Sequence, residues 1–128
     1  MKKYTRMDRL NKLSKSVLGE IIEELYPYEE YGMITVTEVD LSKDLRHAKV
    51  YISIFLEDTH KKSEDDVVEK LKKDEYRIKK GLVDRIRMKY TPELRFIPDE
   101  TQKQADEIYR LLENDKETGD ERPYSSDT

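Results

Sequence analysis

Near the start of the chain Met7, Leu10, Leu13, Val17, Leu18, Ile21, Ile22 and Leu25 recur at steps of three, four and one. That rhythm draws one apolar stripe and predicts a long helix over about 5–25. Pro27 ends it, because the residue before a proline is pushed out of the helical region. Gly32 marks a turn, and the β-branched run 33–41 reads as a strand. Its alternation slips near Glu38, where Ile34 and Val36 give way to Val39 and Leu41, so a bulge or an early strand end is expected there. Ser42-Lys43-Asp44 supplies turn chemistry before a second strand over 48–56. Ala48, Val50, Ile52, Ile54 and Leu56 share one face of that strand; Lys49, Tyr51, Ser53 and Phe55 share the other. The short connection predicts an antiparallel hairpin.

Ser63-Glu64-Asp65-Asp66 opens the next helix in capping style, with acids at its positive end. Val67, Leu71, Ile78, Leu82 and Ile86 continue one stripe, interrupted by Asp74 and Glu75. The interruption predicts two helices joined at a bend, over about 64–73 and 76–88. Tyr90-Thr91-Pro92 terminates the second, and 93–97 is a short third strand stopped by Pro98. A last helix over about 101–113 has Ala105, Ile108, Leu111 and Leu112 as its buried side. Beyond Asn114 only Tyr124 is apolar, so 114–128 reads as a disordered acidic tail after a domain over 1–113. The order α-β-β-α-α-β, plus a C-terminal helix, defines a small α+β sandwich.

Length and composition narrow the function. The 128 residues suit one domain, with 42% charged, 35% hydrophobic and no Trp. A soluble domain averages about 25% charged residues, so the core is small. That excludes a large enzyme cavity more readily than a binding surface. No apolar run approaches the roughly 20 residues of a membrane span. Met1-Lys2-Lys3-Tyr4 leads into no apolar stretch of the kind a signal peptide needs. Without cysteine, disulfides and Cys-based zinc sites are excluded, and a cytoplasmic location fits best. The net charge of −4 conceals four blocks. Residues 1–15 carry six bases and one acid, and 16–69 carry five bases and fourteen acids. Residues 70–95 carry ten bases and four acids, and 98–128 carry four bases and ten acids. Two basic segments point to a polyanion partner; a highly charged solvated surface would give the same totals.

RNA recognition needs cations to meet phosphates and planar groups to stack or read shape. Lys73, Arg77, Lys80 and Arg87 fall on one outward face opposite Ile78, Leu82 and Ile86, flanked by Lys79 and Lys89. Plain solvation is the competing reading. On the first helix Lys2, Arg6, Arg9 and Lys12 form the other basic block, where a solubilising helix start is the stronger alternative. In the 42–46 turn, Ser42 and Asp44 read as caps while Lys43 and Arg46 reach outward. His47 and His60 lack neighbours at metal-ligand spacing. Tyr51 and Phe55 offer rings for stacking, although such rings more often cover a sheet or dock a helix, here the C-terminal one. Gly81 reads as a close-packing position. No Ser-His-Asp, Gly-x-Ser-x-Gly, P-loop or His-Glu-x-x-His pattern is present, so no enzyme and no cofactor are expected.

The segment Ile34-Thr-Val-Thr-Glu-Val-Asp-Leu-Ser42-Lys-Asp44-Leu-Arg46-His-Ala48-Lys-Val50-Tyr51-Ile-Ser53 resembles the signature of the ribosome-binding factor A family. Pro92-Glu93-Leu94-Arg-Phe96, with Asp99 and Ile108-x-x-Leu111-Leu112, resembles that family's C-terminal signature, and Arg9 on the first helix sits in the expected place. The likeness spans roughly 6–112. It implies a type II KH-like fold, three strands covered by helices on one face. It also implies a monomeric bacterial factor, kept in plastids, that binds the free small ribosomal subunit late in assembly. Such a factor assists small-subunit rRNA maturation, including 5′-end processing, matters most in the cold, and has assembly GTPases among its partners. Two departures stand out. The family's helix–kink–helix centres on Ala-x-Gly where this chain has Asp74-Glu75-Tyr76, two carboxylates that would repel phosphate. Its frequent Asp-Pro-Arg after the first helix is here Tyr26-Pro27-Tyr28. The nucleotide-clamping Gly-x-x-Gly loop of RNA-binding KH domains is absent. A KH-like module for another structured RNA, and a protein adaptor docking through its sheet face and acidic tail, are the competing readings.

Overall fold

The computed structural model describes residues 3–101 together with Ile108, Leu111 and Leu112. Helix α1 (Arg6–Leu25) starts at a reciprocal cap. The Asp8 N–H donates to Thr5 Oγ1 (3.1 Å) and the Thr5 N–H donates to Asp8 Oδ2 (2.9 Å). Its core side is Ser14, Leu18, Ile21 and Ile22, flanked by half-buried Met7, Leu10, Val17 and Leu25. Leu13 is 49% exposed, although the apolar rhythm includes it. It lies next to Ser14, about 100° away around the helix, and so off the core line.

Pro27 opens a four-residue helix, α2 (Tyr28–Tyr31), which the apolar pattern does not predict because one turn carries too few positions for a period. Gly32, with φ 75° and ψ −169°, then turns the chain into strand β1 (Met33–Leu41). Strand β2 (His47–Phe55) pairs with it antiparallel. The register passes from Val36↔Ile52 to Glu38↔Tyr51, leaving Thr37 as the extra residue of a bulge. That single insertion returns Val39 and Leu41 to the face where Val36 is buried, which explains the slip in the sequence. Thr37 Oγ1 donates to Asp99 Oδ2 (2.6 Å), and this bond, followed by those from Thr101, holds the Asp99 carboxyl below its ordinary 3.8.

Helices α3 (Glu64–Lys73) and α4 (Glu75–Arg85) carry the chain across to strand β3 (Glu93–Pro98), which lies parallel to β2. The sheet order is β1-β2-β3, so β3 is an edge and tolerates Pro98 in its last position. Leu18 and Ile22, Val50 and Ile52, Val67 and Leu71, Ile78 and Leu82 meet as one core on the helical side. Gly81 is the close approach it promised to be: a Cβ there would lie 3.2 Å from Ile21 Cδ1.

Two expectations are corrected. Helix α4 ends at Arg85, three residues early, because Ile86 is extended (φ −121°, ψ 125°). An extended chain turns alternate residues to one side, which sends both Ile86 and Met88 into the core. The C-terminal segment is helical at Thr101, Ile108, Leu111 and Leu112, but the last three are exposed rather than buried. The covered face of the sheet is already filled by α1, α3 and α4. Phe55, on the opposite face, is 59% exposed. Ala105, Lys2 and the tail over 114–128 lie outside the described residues.

Ser14 is fully buried and its Oγ has no hydrogen-bond partner among the described residues. An orphaned buried hydroxyl costs about 1–3 kcal/mol, and Ala is the better helix former. Ser14→Ala is therefore expected to stabilise the fold by about 1 kcal/mol, raising Tm by roughly 4–8 °C. Thermal unfolding followed by circular dichroism checks this; a lower Tm would mean that the hydroxyl has a partner.

Candidate nucleic-acid interface

The joint between α3 and α4 is one residue, Asp74, at φ −92° and ψ 12°. This conformation is open to any L residue, so the helix break needs no glycine. The Asp74 N–H donates to the Lys70 carbonyl (3.0 Å), and its own carbonyl accepts the Ile78 N–H (3.0 Å). Its carboxylate accepts from the Tyr26 hydroxyl (2.7 Å) and pairs with Lys70 (3.4 Å). Burial, then this bond and the Asp74 charge, push the Tyr26 phenol well above the ordinary tyrosine range. The neighbouring Glu75 carboxylate accepts from the Leu94 N–H at the start of β3 (2.8 Å) and pairs with Lys79 (3.6 Å). Both carboxylates thus face internal partners. The structure turns the two acids inward.

Glu75→Ala would leave the Leu94 N–H without its acceptor on a buried residue, a loss of about 1–3 kcal/mol. Glu75→Gln keeps an acceptor oxygen and is expected to lose far less. Urea unfolding of both variants tests the assignment, and equal losses would contradict it.

Around the joint stand Lys73, Arg77 and Lys80, exposed and without an ion pair among the described residues. Lys79 is half-buried on Glu75 and is withdrawn from this group. Tyr76 stands among them 70% exposed, with Lys79 Nζ 5.9 Å from its ring centre.

A second group forms at the β1–β2 turn. Asp44 Oδ1 accepts from Ser42 Oγ (2.7 Å) and from the Arg46 N–H (3.1 Å), while Ser42 Oγ accepts from the His47 N–H (3.0 Å). These bonds, Ser42 foremost, lower the Asp44 pKa. They fix the turn that presents Lys43 and Arg46, both exposed. The Arg46 carbonyl accepts the Glu93 N–H (2.8 Å), which pins the 86–92 loop beside the turn. Arg46 therefore lies over the Tyr90 ring at 4.2 Å, with Lys89 5.5 Å from the same ring. Arg87 is exposed in that loop. Asn11 Oδ1 accepts the Leu41 N–H (2.9 Å), so the N-terminal half of α1, with Arg6, Arg9 and Lys12 exposed, lies beside the same end of β1.

The outward face predicted to run from Lys73 to Arg87 is consequently two groups. Arg87 and Lys89 leave it because α4 stops at Arg85, which itself turns to Glu24 (2.8 Å) and Glu20 (3.8 Å) on α1. Each histidine has a neighbour of its own in the fold. His60 accepts the Glu57 N–H at Nδ1 (2.9 Å) and contacts the Tyr28 carbonyl through Nε2 (2.8 Å), and His47 pairs with Glu93 (3.4 Å).

A family model of ribosome-binding factor A matches residues 6–112, nearly all of the described chain. The chain belongs to the ribosome-binding factor A family. The member from Natranaerobius thermophilus is 36% identical over 107 residues, covering 84% of this chain and 79% of that one. The crystal structure of the factor from Thermus thermophilus superposes with a TM-score of 0.64 at 30% identity, over 73% of this chain and 97% of that one. A Thermus thermophilus factor fitted into a cryo-EM map of a 30S–RbfA complex gives 0.59 at 31% identity, over 71% and 92%. The α+β architecture read from the sequence is therefore that of the family, and the order α-β-β-α-α-β is observed with the short α2 between α1 and β1.

Within this ribosome-binding factor A fold, four residues escape a sequence reading. Tyr76 looks like a plain helix position although its helical neighbours are cations, and Tyr90 looks like a terminator until the tertiary structure sets it under Arg46. Lys49 and Arg95 are opposite one another on the uncovered sheet face, both exposed. Strand alternation signals that they share a direction, but not that they are neighbours.

Proposed function

We propose that this protein binds the free small ribosomal subunit and, without enzymatic activity of its own, assists late maturation of its rRNA, including 5′-end processing. The carrying observation is the collection of exposed cations from three separate segments at one end of the sheet. Arg46 and Lys89 gather around the Tyr90 ring, with Arg87 exposed in the same loop, Lys43 on the turn and Arg9 and Lys12 on the adjoining helix. Guanidinium and ammonium groups meet phosphates, and the ring supplies a planar surface for an unstacked base. Lys73, Arg77 and Lys80, with Tyr76, form a further contact region. The family, and the 30S complex of the Thermus member, support the small subunit as the partner. In this reading the factor is a cytoplasmic monomer needed most in the cold, with assembly GTPases as partners. Residues 1–113 hold the binding surface, and 114–128 are dispensable.

Sedimentation of cell extract is the test. The protein is expected with free small subunits, and its depletion at low temperature is expected to accumulate small-subunit rRNA with unprocessed 5′ ends. Finding it chiefly on translating ribosomes, or free of ribosomal particles at low salt, would overturn the proposal.

A further inference from the structure

On the side of the sheet away from β3, a groove of about 570 Å³ runs between α1 and β1. Its floor is apolar, formed by buried Ile22 and Tyr26, and one wall is the start of β1 at Met33 and Ile34. We propose that this groove binds an extended polypeptide segment bearing alternate cationic and apolar residues, which joins β1 as an added strand. The inference is independent of the proposed RNA contacts.

Three observations carry it. The first is the edge itself. Among the described residues β1 pairs only with β2, so its outer side offers unpaired backbone groups, and an extended chain can extend the ladder there. Nine residues long, β1 contains neither Lys nor Pro, and its bulge at Thr37 and its acids Glu38 and Asp40, which also protect an edge, lie beyond the stretch 33–36. Asn11 occupies the Leu41 N–H at one end and the Thr37 bulge interrupts the middle. The stretch from Met33 to Val36, beside the groove, is left open.

The second is Gly19. A glycine within a helix costs about 1 kcal/mol relative to alanine. At Gly81 a close neighbour accounts for it, but nothing lies within 4 Å of a Cβ placed on Gly19. No packing among the described residues requires the missing side chain. Its absence keeps the α1 wall low where a strand beside Met33 would pass.

The third is charge. Glu20 and Glu23 rim the groove. Glu20 reaches Arg85 only at 3.8 Å, and Glu23 has no ion partner among the described residues. Carboxylates repel a nucleic-acid backbone and favour Lys or Arg on the occupant. The exposed apolar pair Met33 and Phe55, opposite one another in the register, suits the alternate residues of such a strand. Period-two alternation of the occupant would match both.

The test uses the full chain, 15N-labelled, and a capped hexapeptide of alternating Lys and Val as probe. Saturable shifts are expected at the amides of Gly19 and Met33–Val36, weakening with added salt. Gly19→Leu fills the groove while improving helix propensity, and is expected to weaken binding by roughly tenfold or more with the circular dichroism unchanged. A peptide N-methylated on alternate residues cannot complete the ladder and is expected to lose binding to the unaltered protein, which keeps the test decisive if the variant misfolds. A Glu-Val peptide binding equally well would overturn the proposal. So would shifts confined to the α3–α4 joint, no saturable shift at millimolar peptide, or unchanged affinity in Gly19→Leu. Sedimentation equilibrium showing a dimer that Gly19→Leu dissolves would assign the edge to a second copy, again against the proposal.

Discussion

Changing Arg46, Arg87 and Lys89 together to alanine is expected to weaken binding to free small subunits by roughly ten- to a hundredfold at moderate salt. The log K against log[salt] slope should flatten by about 2–3 units if each cation pairs with one phosphate. The three side chains are exposed, and Arg46 and Lys89 rest on the Tyr90 ring rather than on the core, which the changes therefore leave untouched. Tyr90→Leu in the same series separates stacking from charge. It should lower affinity by about 1–3 kcal/mol with the salt slope unchanged. The companion variant Arg77→Ala with Lys80→Ala probes the other group. Its slope should fall by less, because two cations are removed rather than three. Binding by the triple variant at wild-type strength and slope, with an intact circular dichroism spectrum, would remove the turn end from the interface.

Gly32→Ala is expected to destabilise the fold by roughly 2–4 kcal/mol, combining a backbone region nearly restricted to glycine with a steric clash. Gly32 has φ 75° and ψ −169°, and a Cβ built there would overlap the Phe55 carbonyl oxygen. That oxygen belongs to the backbone of the paired strand, which cannot move without disturbing the Met33↔Phe55 end of the hairpin. The loss should lower Tm by roughly 10 °C or more, since a domain of this size shifts about 4–8 °C per kcal/mol. Thermal unfolding measures it directly. A drop below about 2 °C would show that the turn relaxes into another conformation.

The elements other than α2 are legible because each carries its own local signal. The stripe from Met7 to Leu25, the Ser63 cap and the interruption at Asp74 all rest on periodicity or side-chain reach within a few residues. So did the slip near Glu38, because one inserted residue inverts the alternation of everything after it. Where local signals mislead, the deciding force is not local. Ile86 continues a helical period on paper, yet it is extended, since that lets both it and Met88 enter the core. Ile108, Leu111 and Leu112 keep the spacing of a buried side, yet all three are exposed.

The same division runs through the candidate interface. Sequence alone determined that the chain has basic segments, which residues in them are cationic, and that its motifs belong to one family. Composition and spacing are properties of the chain and survive any arrangement of it. Tertiary structure decided which cations share a surface. Arg46 and Lys89 are far apart in sequence and meet over Tyr90 because a parallel crossover returns β3 beside β2, with Glu93 bonded to the Arg46 carbonyl. It also decided that Asp74 and Glu75, which on paper would repel an RNA backbone, are partners of Tyr26 and of the Leu94 N–H. Charge acts through distance and partners, and distances between remote segments exist only once the core has closed.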